Sequence, residues 1–127
     1  MNRRQIDVKP WQGEINNFVG QGGENAARHF LISKGYEILE QNWSCSIGEI
    51  DLIARQNRLI VFVEVKTSRT IDAAIQRIGT AQQRRIANSA QLWINQYAFD
   101  PKFLFRFDAI LVGSDQKLQH IEGAWTN

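Results

Sequence analysis

The fold is decided by residues 48–66, which read GEIDLIARQNRLIVFVEVK. They contain two apolar runs, residues 50–54 and 59–63, separated by the polar pair Gln56-Asn57. This pattern predicts a β-hairpin with its turn at that pair. The second run is apolar at odd and even positions alike, which is typical of a strand buried on both faces. We therefore expect the second arm of the hairpin to be a central strand of a sheet.

Four charged residues lie in this predicted hairpin. They are Glu49, Asp51, Glu64 and Lys66. Side chains alternate across a strand, so all four project from one face of the hairpin. With the turn centred as above, Asp51 lies opposite Phe62 and is the diagonal neighbour of Glu64, at a backbone distance of about 7–8 Å. The side-chain tips of the two carboxylates can then converge.

Three carboxylates and an ammonium on one face of a buried strand pair destabilise the fold unless something compensates for them. A divalent cation such as Mg²⁺ or Mn²⁺ is the simplest compensating group, because hard ions bind one or two carboxylates and keep several waters. On this interpretation Asp51 and Glu64 hold the metal, and Lys66 steadies or deprotonates the water that attacks a phosphodiester. The alternative is an exposed hairpin face on which Lys66 forms salt bridges with Glu64 or Asp51.

The segments GEIDLIA (48–54) and VFVEVK (61–66) resemble the signature of the YraN-type family, small bacterial proteins described as candidate endonucleases. This family belongs to the PD-(D/E)xK restriction-endonuclease-like superfamily and is similar to archaeal Holliday junction resolvases. The resemblance implies a DNA endonuclease that requires Mg²⁺ or Mn²⁺ and prefers branched DNA. It further implies a set of catalytic residues, of which the three acidic ones would bind the metal. That set is Glu24, Asp51, Glu64 and Lys66.

One position departs from the pattern of that family. Gln82 stands where the family usually has a lysine, and this departure argues against fast catalysis. Arg85 could supply the missing charge. Two alternatives to an enzyme follow: a DNA-binding or interaction module that kept the nuclease fold but lost turnover, and a structural protein whose hairpin charges are salt bridges. The sequence leaves the oligomeric state open, a homodimer included.

The composition is that of a globular protein of ordinary size. The 127 residues are 43% hydrophobic and 22% charged, which predicts one domain over residues 16–127 after an N-terminal arm over residues 1–15. The longest apolar run is too short to span a membrane, and the N-terminal residues lack the apolar segment of a secretory signal. The single cysteine, Cys45, excludes an internal disulfide and a cysteine-rich zinc site. We therefore expect a cytoplasmic protein that does not bind membranes.

The charge is unevenly distributed along the chain. Residues 13–51 carry six acidic against two basic side chains, whereas residues 67–99 carry four basic against one acidic. An acidic part that binds a cation, followed by a basic part that meets phosphates, fits a nuclease. The alternative is a solvated surface with uneven charge. The expected DNA contacts are Arg69, Gln82, Arg84 and Arg85.

Hydrophobic periodicity places the other elements. Helices are predicted over residues 22–34, around 73–78 and over 81–97, and strands over 36–42, 103–112 and 118–121, followed by a tail over 122–127. Glu24 lies in the first turn of the first helix, where the helix dipole favours a carboxylate whatever its role. Arg106 and Asp108 share one face of their strand, which predicts an ion pair. The element order predicts an α/β, restriction-endonuclease-like domain in which helices flank a central mixed β-sheet.

Overall fold

A computed structural model describes residues 4–5, 22–70, 78–98, 101–114 and 117–125. The elements in chain order are β1 (Arg4–Gln5), α1 (Gly22–Ser33), β2 (Glu37–Ser44), β3 (Glu49–Gln56), β4 (Leu59–Ser68), α2 (Thr80–Asn95), β5 (Tyr97–Ala98), β6 (Leu104–Gly113) and β7 (Leu118–Trp125). Five strands form one sheet in the order β2-β3-β4-β6-β7, and β1 pairs with β5. Strands β4 and β6 are parallel, and the other neighbours in the large sheet are antiparallel.

Strand β4 is the central strand of the large sheet, and it is buried on both faces as its sequence predicted. Its odd-numbered apolar residues pack in a cluster with Ala27 and Leu31 of α1. Its even-numbered apolar residues pack in a second cluster with Ile86, Ala90 and Trp93 of α2. The two helices therefore cover opposite faces of the sheet. The predicted α/β fold is confirmed, and this architecture is consistent with a restriction-endonuclease-like fold.

The hairpin turn lies one residue later than predicted. Gln56 pairs with Leu59, so the turn residues are Asn57 and Arg58, and the turn predicted at Gln56-Asn57 is wrong. Asn57 has φ 56°, in the left-handed region that asparagine adopts more readily than most residues. Periodicity alone does not reveal this local preference, which decides the register of the two arms.

The corrected register brings the two central carboxylates closer than predicted. The last pair of the β3–β4 ladder is Leu52 with Val63. One residue further along β3, Asp51 lies opposite Glu64 rather than opposite Phe62. Because moving the turn by one residue moves the pairing by two, every side chain keeps its predicted face. The expected shared face of the two carboxylates is therefore unaffected by the correction.

Helix α1 ends at Ser33, one residue before the predicted end at residue 34, and Gly35 closes it. This glycine has φ 93°, and the N–H of Tyr36 donates to the carbonyl of Leu31 at 3.0 Å, the hydrogen bond that closes a helix before a left-handed glycine. Helix α2 is shorter than predicted, because Tyr97 belongs to the short strand β5. Strand β2 is longer than predicted and includes Trp43.

Strand β7 includes most of the predicted C-terminal tail, so the end predicted at residue 121 is wrong. The buried carboxylate of Asp108 on β6 fixes this extension, since it accepts the N–H of Gly123 at 3.0 Å. The same carboxylate lies 2.7 Å from Nε2 of His120 and accepts two hydrogen bonds of 2.7 Å from Arg106. The predicted ion pair between Arg106 and Asp108 is thus confirmed, as part of a larger network that joins β6 to β7.

Some predictions concern parts of the chain outside the described residues. The N-terminal arm predicted over residues 1–15 is described only at Arg4–Gln5, and the short helix predicted around residues 73–78 only at Ile78. The start of the domain predicted at residue 16 also lies outside them. No helix in the described ranges combines the length and apolar character needed to cross a membrane.

Two adjacent glycines at the start of α1 allow a matched test of how closely the helix approaches β4. A Cβ atom at Gly23 would collide with the side chain of Thr67, whereas one at Gly22 would meet nothing within 4 Å. We predict that Gly23→Ala lowers the free energy of unfolding by about 1–3 kcal/mol through overpacking. Gly22→Ala should leave it unchanged or raise it by up to about 1 kcal/mol. Urea unfolding of both variants measures this, and equal stabilities would contradict the close packing.

Candidate active site

A cavity of about 320 Å³ lies between the N-terminal ends of α1 and α2, just beyond the last pair of the β3–β4 ladder. Its lining residues are Glu24 from α1, Glu49 and Asp51 from β3, Glu64, Val65 and Lys66 from β4, and Gln82, Arg85 and Ile86 from α2. All four residues predicted to be catalytic therefore line one cavity, together with two of the predicted DNA contacts. Of the other two, Arg84 is exposed and does not line it, and Arg69 lines a separate cavity at the end of β4.

The carboxyl groups of Asp51 and Glu64 are in hydrogen-bond contact. Asp51 Oδ2 also accepts the backbone N–H of Val65 at 2.8 Å, so this side chain serves as an acceptor for β4 where the regular ladder has ended. Burial, above all, raises the pKa of Asp51 above its usual range. Burial, followed by the nearby charge of Asp51, raises the pKa of Glu64 to about 7. Glu64 is therefore about half protonated near pH 7, which reduces the repulsion between the two groups.

Glu64 has two further partners. Its Oε2 lies 3.0 Å from Nζ of Lys66 and accepts a hydrogen bond of 2.5 Å from Nε2 of Gln82. The salt bridge of the alternative interpretation is therefore present, but it does not lie on an exposed face: the side chains of Glu64 and Lys66 are only 5% and 19% exposed. One ammonium faces several carboxyl groups in this cavity, so their charge is not fully compensated by Lys66.

Glu24 reaches the cavity from the first turn of α1. Its Oε1 is buried and has no hydrogen-bond partner in the described structure. Burial, followed by the charge of Asp51, raises the pKa of this carboxyl group above its usual range. A buried carboxylate oxygen without a partner is destabilising unless water or a cation satisfies it. Glu24 thus faces the other carboxylates of the cavity.

The oxygen donors of this cavity are of the kind that a hard divalent cation prefers. Among the described residues, no three His, Cys, Asp or Glu side chains lie in an arrangement that could hold a metal ion. Mg²⁺ is commonly bound through only one or two carboxylates and keeps several waters, and this mode fits the contacting pair Asp51 and Glu64. The unsatisfied oxygen of Glu24 is a further oxygen donor at the same cavity. The residues present fit a hard, hydrated cation with oxygen ligands.

Two cavity residues have roles that the sequence does not reveal. Gln82 is predicted to contact DNA, and that stays a prediction; the structure adds that its amide hydrogen-bonds Glu64 directly. Glu49 was noted on the face of Asp51 but was not assigned to the site, although its side chain lines the cavity. The spacing of two residues between Glu49 and Asp51 was the signal that could have identified it, since such residues share a strand face.

The crowding of the carboxyl groups makes a prediction about stability without added metal. The pKa of Glu64 is raised from 4.5 to about 7 on folding, so the stability that proton binding by Glu64 contributes is fully present below pH 4.5 and is lost as the pH rises through 7. We predict that Asp51→Asn removes part of the repulsion and is more stable than wild type at pH 8 by about 1–2 kcal/mol. This advantage should shrink toward pH 5. Urea unfolding at both pH values measures it.

The exposed carboxylate of Glu37 on β2 provides the control for that experiment. Glu37→Gln should change the free energy of unfolding by less than about 0.5 kcal/mol at either pH, as is usual for surface substitutions. A variant Asp51→Asn that is less stable than wild type at pH 8 would show that Asp51 makes a favourable ion pair. The interpretation in which the hairpin charges are structural salt bridges would then be preferred.

The chain was also compared with known proteins. A family model described as "Uncharacterised protein family UPF0102" matches residues 23–112. A UPF0102 protein of Nitrobacter winogradskyi is 41% identical over 107 residues, covering 84% of this chain and 91% of the relative. One of Caldicellulosiruptor bescii is 41% identical over 101 residues, covering 78% and 85%. The YraN-type family was thus predicted correctly from the hairpin motif, and the chain belongs to the UPF0102 family.

Proposed function

We propose that this protein is a DNA endonuclease of the restriction-endonuclease-like superfamily, which hydrolyses phosphodiester bonds with the aid of Mg²⁺ or Mn²⁺. One observation carries the proposal: Asp51 and Glu64 contact each other in a cavity that also contains the ammonium of Lys66. Retaining uncompensated carboxyl groups at this position is costly for folding. A role in binding a cation explains why they are there.

When bound, the metal ion would stabilise negative charge on the phosphate and lower the pKa of a bound water. Asp51 and Glu64 are the residues that would hold it, and Glu24 is a further carboxylate at the same cavity. Lys66 lies beside Glu64 at 3.0 Å, a position from which its ammonium can orient a water for attack on phosphorus. Gln82 orients Glu64 through its 2.5 Å hydrogen bond and thereby fixes the carboxylate that receives the cation.

The surroundings of the cavity favour a phosphate. The N-terminal ends of α1 and α2 both lie at the cavity, and the unpaired N–H groups and dipole of a helix N-terminus attract anions. Arg85, from the first turns of α2, adds a positive charge at the opening. We assign Arg85 to the bound phosphate backbone, whereas the exposed Arg84 and the more distant Arg69 are assigned to flanking phosphates.

The second candidate function is a DNA-binding module without turnover. The observation that favours it is the amide of Gln82, because a neutral amide replaces the positive charge that the family usually places there. An amide still orients Glu64 but stabilises less negative charge in a transition state. Binding of DNA without cleavage in the presence of Mn²⁺ would identify this function.

The experiment that tests the proposal is a cleavage assay on labelled single-stranded, duplex, flap and four-way junction DNAs with Mg²⁺ or Mn²⁺. We predict cleavage by wild type, with at least a 100-fold loss in Lys66→Ala, because general acid–base groups contribute typically 10²–10⁴-fold. Lys34→Ala is the control: this lysine follows the C-terminal end of α1, away from Glu24 at its start, and should retain activity. Equal activity of wild type and Lys66→Ala would assign the cleavage to a contaminant.

A second prediction concerns the two adjacent arginines on α2. Arg85 lines the cavity and Arg84 does not, so Arg85→Ala should weaken DNA binding more. Loss of one phosphate contact reduces the slope of log K against log salt by about 0.9 for duplex DNA. Fluorescence anisotropy between 50 and 200 mM salt measures this slope. If Arg84→Ala has the larger effect, the phosphate backbone does not cross the cavity opening.

A further inference from the structure

We propose that a second, apolar cavity beside the carboxylates receives one unstacked nucleobase next to the bond that is cleaved. This inference rests on the proposed function and deepens it, since it names the substrate class: DNA with an unpaired nucleotide at the site of cleavage. The cavity has a volume of about 220 Å³. It is lined by Ala109 and Leu111 of β6, Ile121, Ala124 and Trp125 of β7, and Gln83 of α2, among others.

The two cavities are neighbours in the sheet. In the parallel pairing of β4 with β6, Glu64 is the partner of Ala109 and Lys66 is the partner of Leu111. Paired residues on adjacent strands lie about 5 Å apart and share a face. The wall of the apolar cavity therefore stands one strand spacing from the backbone of Glu64 and Lys66. The base next to a phosphodiester bound at Glu64 would be within reach of it.

The side chains that line the apolar cavity indicate which part of a DNA molecule it can bind. No charged side chain lines it within the described residues, so it offers no partner for a phosphate. Apolar side chains provide most of the wall, and two polar groups are present: the amide of Gln83 and the indole of Trp125. The buried Nε1 of Trp125 has no hydrogen-bond partner in the described structure. Such a lining matches a flat, uncharged ring with polar atoms on its edge, and the bases are the only parts of DNA with this chemistry.

The size and the openness of the cavity agree with this assignment. Pockets that enclose drug-sized ligands measure about 300–1,000 Å³, so about 220 Å³ suits one ring system rather than a whole nucleotide. Ala124 and Trp125 are only partly buried, which leaves an entrance. Stacking of a base on an aromatic side chain contributes about 1–3 kcal/mol. A paired base must first leave its duplex at a cost of a few kcal/mol, so the cavity favours unpaired substrates.

The test compares wild type with Ala124→Leu, which fills the cavity without altering any residue of the carboxylate site. Ala81→Leu is the matched control, because this alanine is exposed on α2 and lines neither cavity. Fluorescence anisotropy measures binding to a duplex and to the same duplex with a short single-stranded gap, in both cases without added metal. We expect wild type and Ala81→Leu to bind the gapped DNA about tenfold more tightly than the intact duplex. Ala124→Leu should lose that preference while its duplex affinity stays within twofold.

A second measurement follows the base itself. One abasic nucleotide is placed at each position of the gap in turn, and at a single position it should abolish the preference of wild type for gapped DNA. A 2-aminopurine at that same position should change its fluorescence when wild type binds, but not when Ala124→Leu binds. If Ala124→Leu keeps the preference for gapped DNA, the inference is overturned. A change in the oligomeric state of this variant also overturns it, because the cavity would then be a contact with a second copy of the chain. Failure to bind or cleave any DNA instead overturns the proposed function.

Discussion

Two carboxyl groups in contact inside a protein repel each other when both are charged, and the contact between Asp51 and Glu64 is therefore the arrangement on which this structure depends. The hairpin enforces it. The turn at Asn57 sets the register that places the two residues opposite each other, and the N–H of Val65 holds the carboxylate of Asp51 where the ladder ends. The central strand cannot release Glu64 to solvent, because six consecutive residues of β4 are buried.

The two helices complete the cavity around this strand pair. Helix α1 can approach β4 closely because Gly23 has no side chain to meet Thr67, and the approach carries Glu24 to the carboxylates. Helix α2 packs on the opposite face through an apolar stripe that begins at Ile86, and its preceding turn delivers Gln82 to Glu64. The same contacts that bury the core therefore position the polar groups. A substitution in either helix contact should alter the site as well as the stability.

Much of this arrangement follows from sequence periodicity. The alternation of side chains along two strands was sufficient to place Asp51 and Glu64 on one face, and a two-sided apolar run identified β4 as a central strand. The register of β3 with β4 was not predicted, because it depends on the backbone conformation of Asn57. The sequence allows more than one two-residue turn at this point. The position of Glu24 and the bond from Gln82 also depend on helix packing between residues far apart in sequence. The network around Asp108 was only half predicted, since His120 lies on another strand.

The central claim is that Asp51 and Glu64 form a cation site whose proton is displaced by the ion. Isothermal titration calorimetry with Mn²⁺, performed in two buffers of different ionisation enthalpy, measures the number of protons released per ion bound. With the pKa of Glu64 at about 7, the structure predicts that binding at pH 6 releases a large fraction of one proton and that this fraction falls as the pH rises to 8. No detectable binding, or binding with a proton release that does not depend on pH, would contradict the claim.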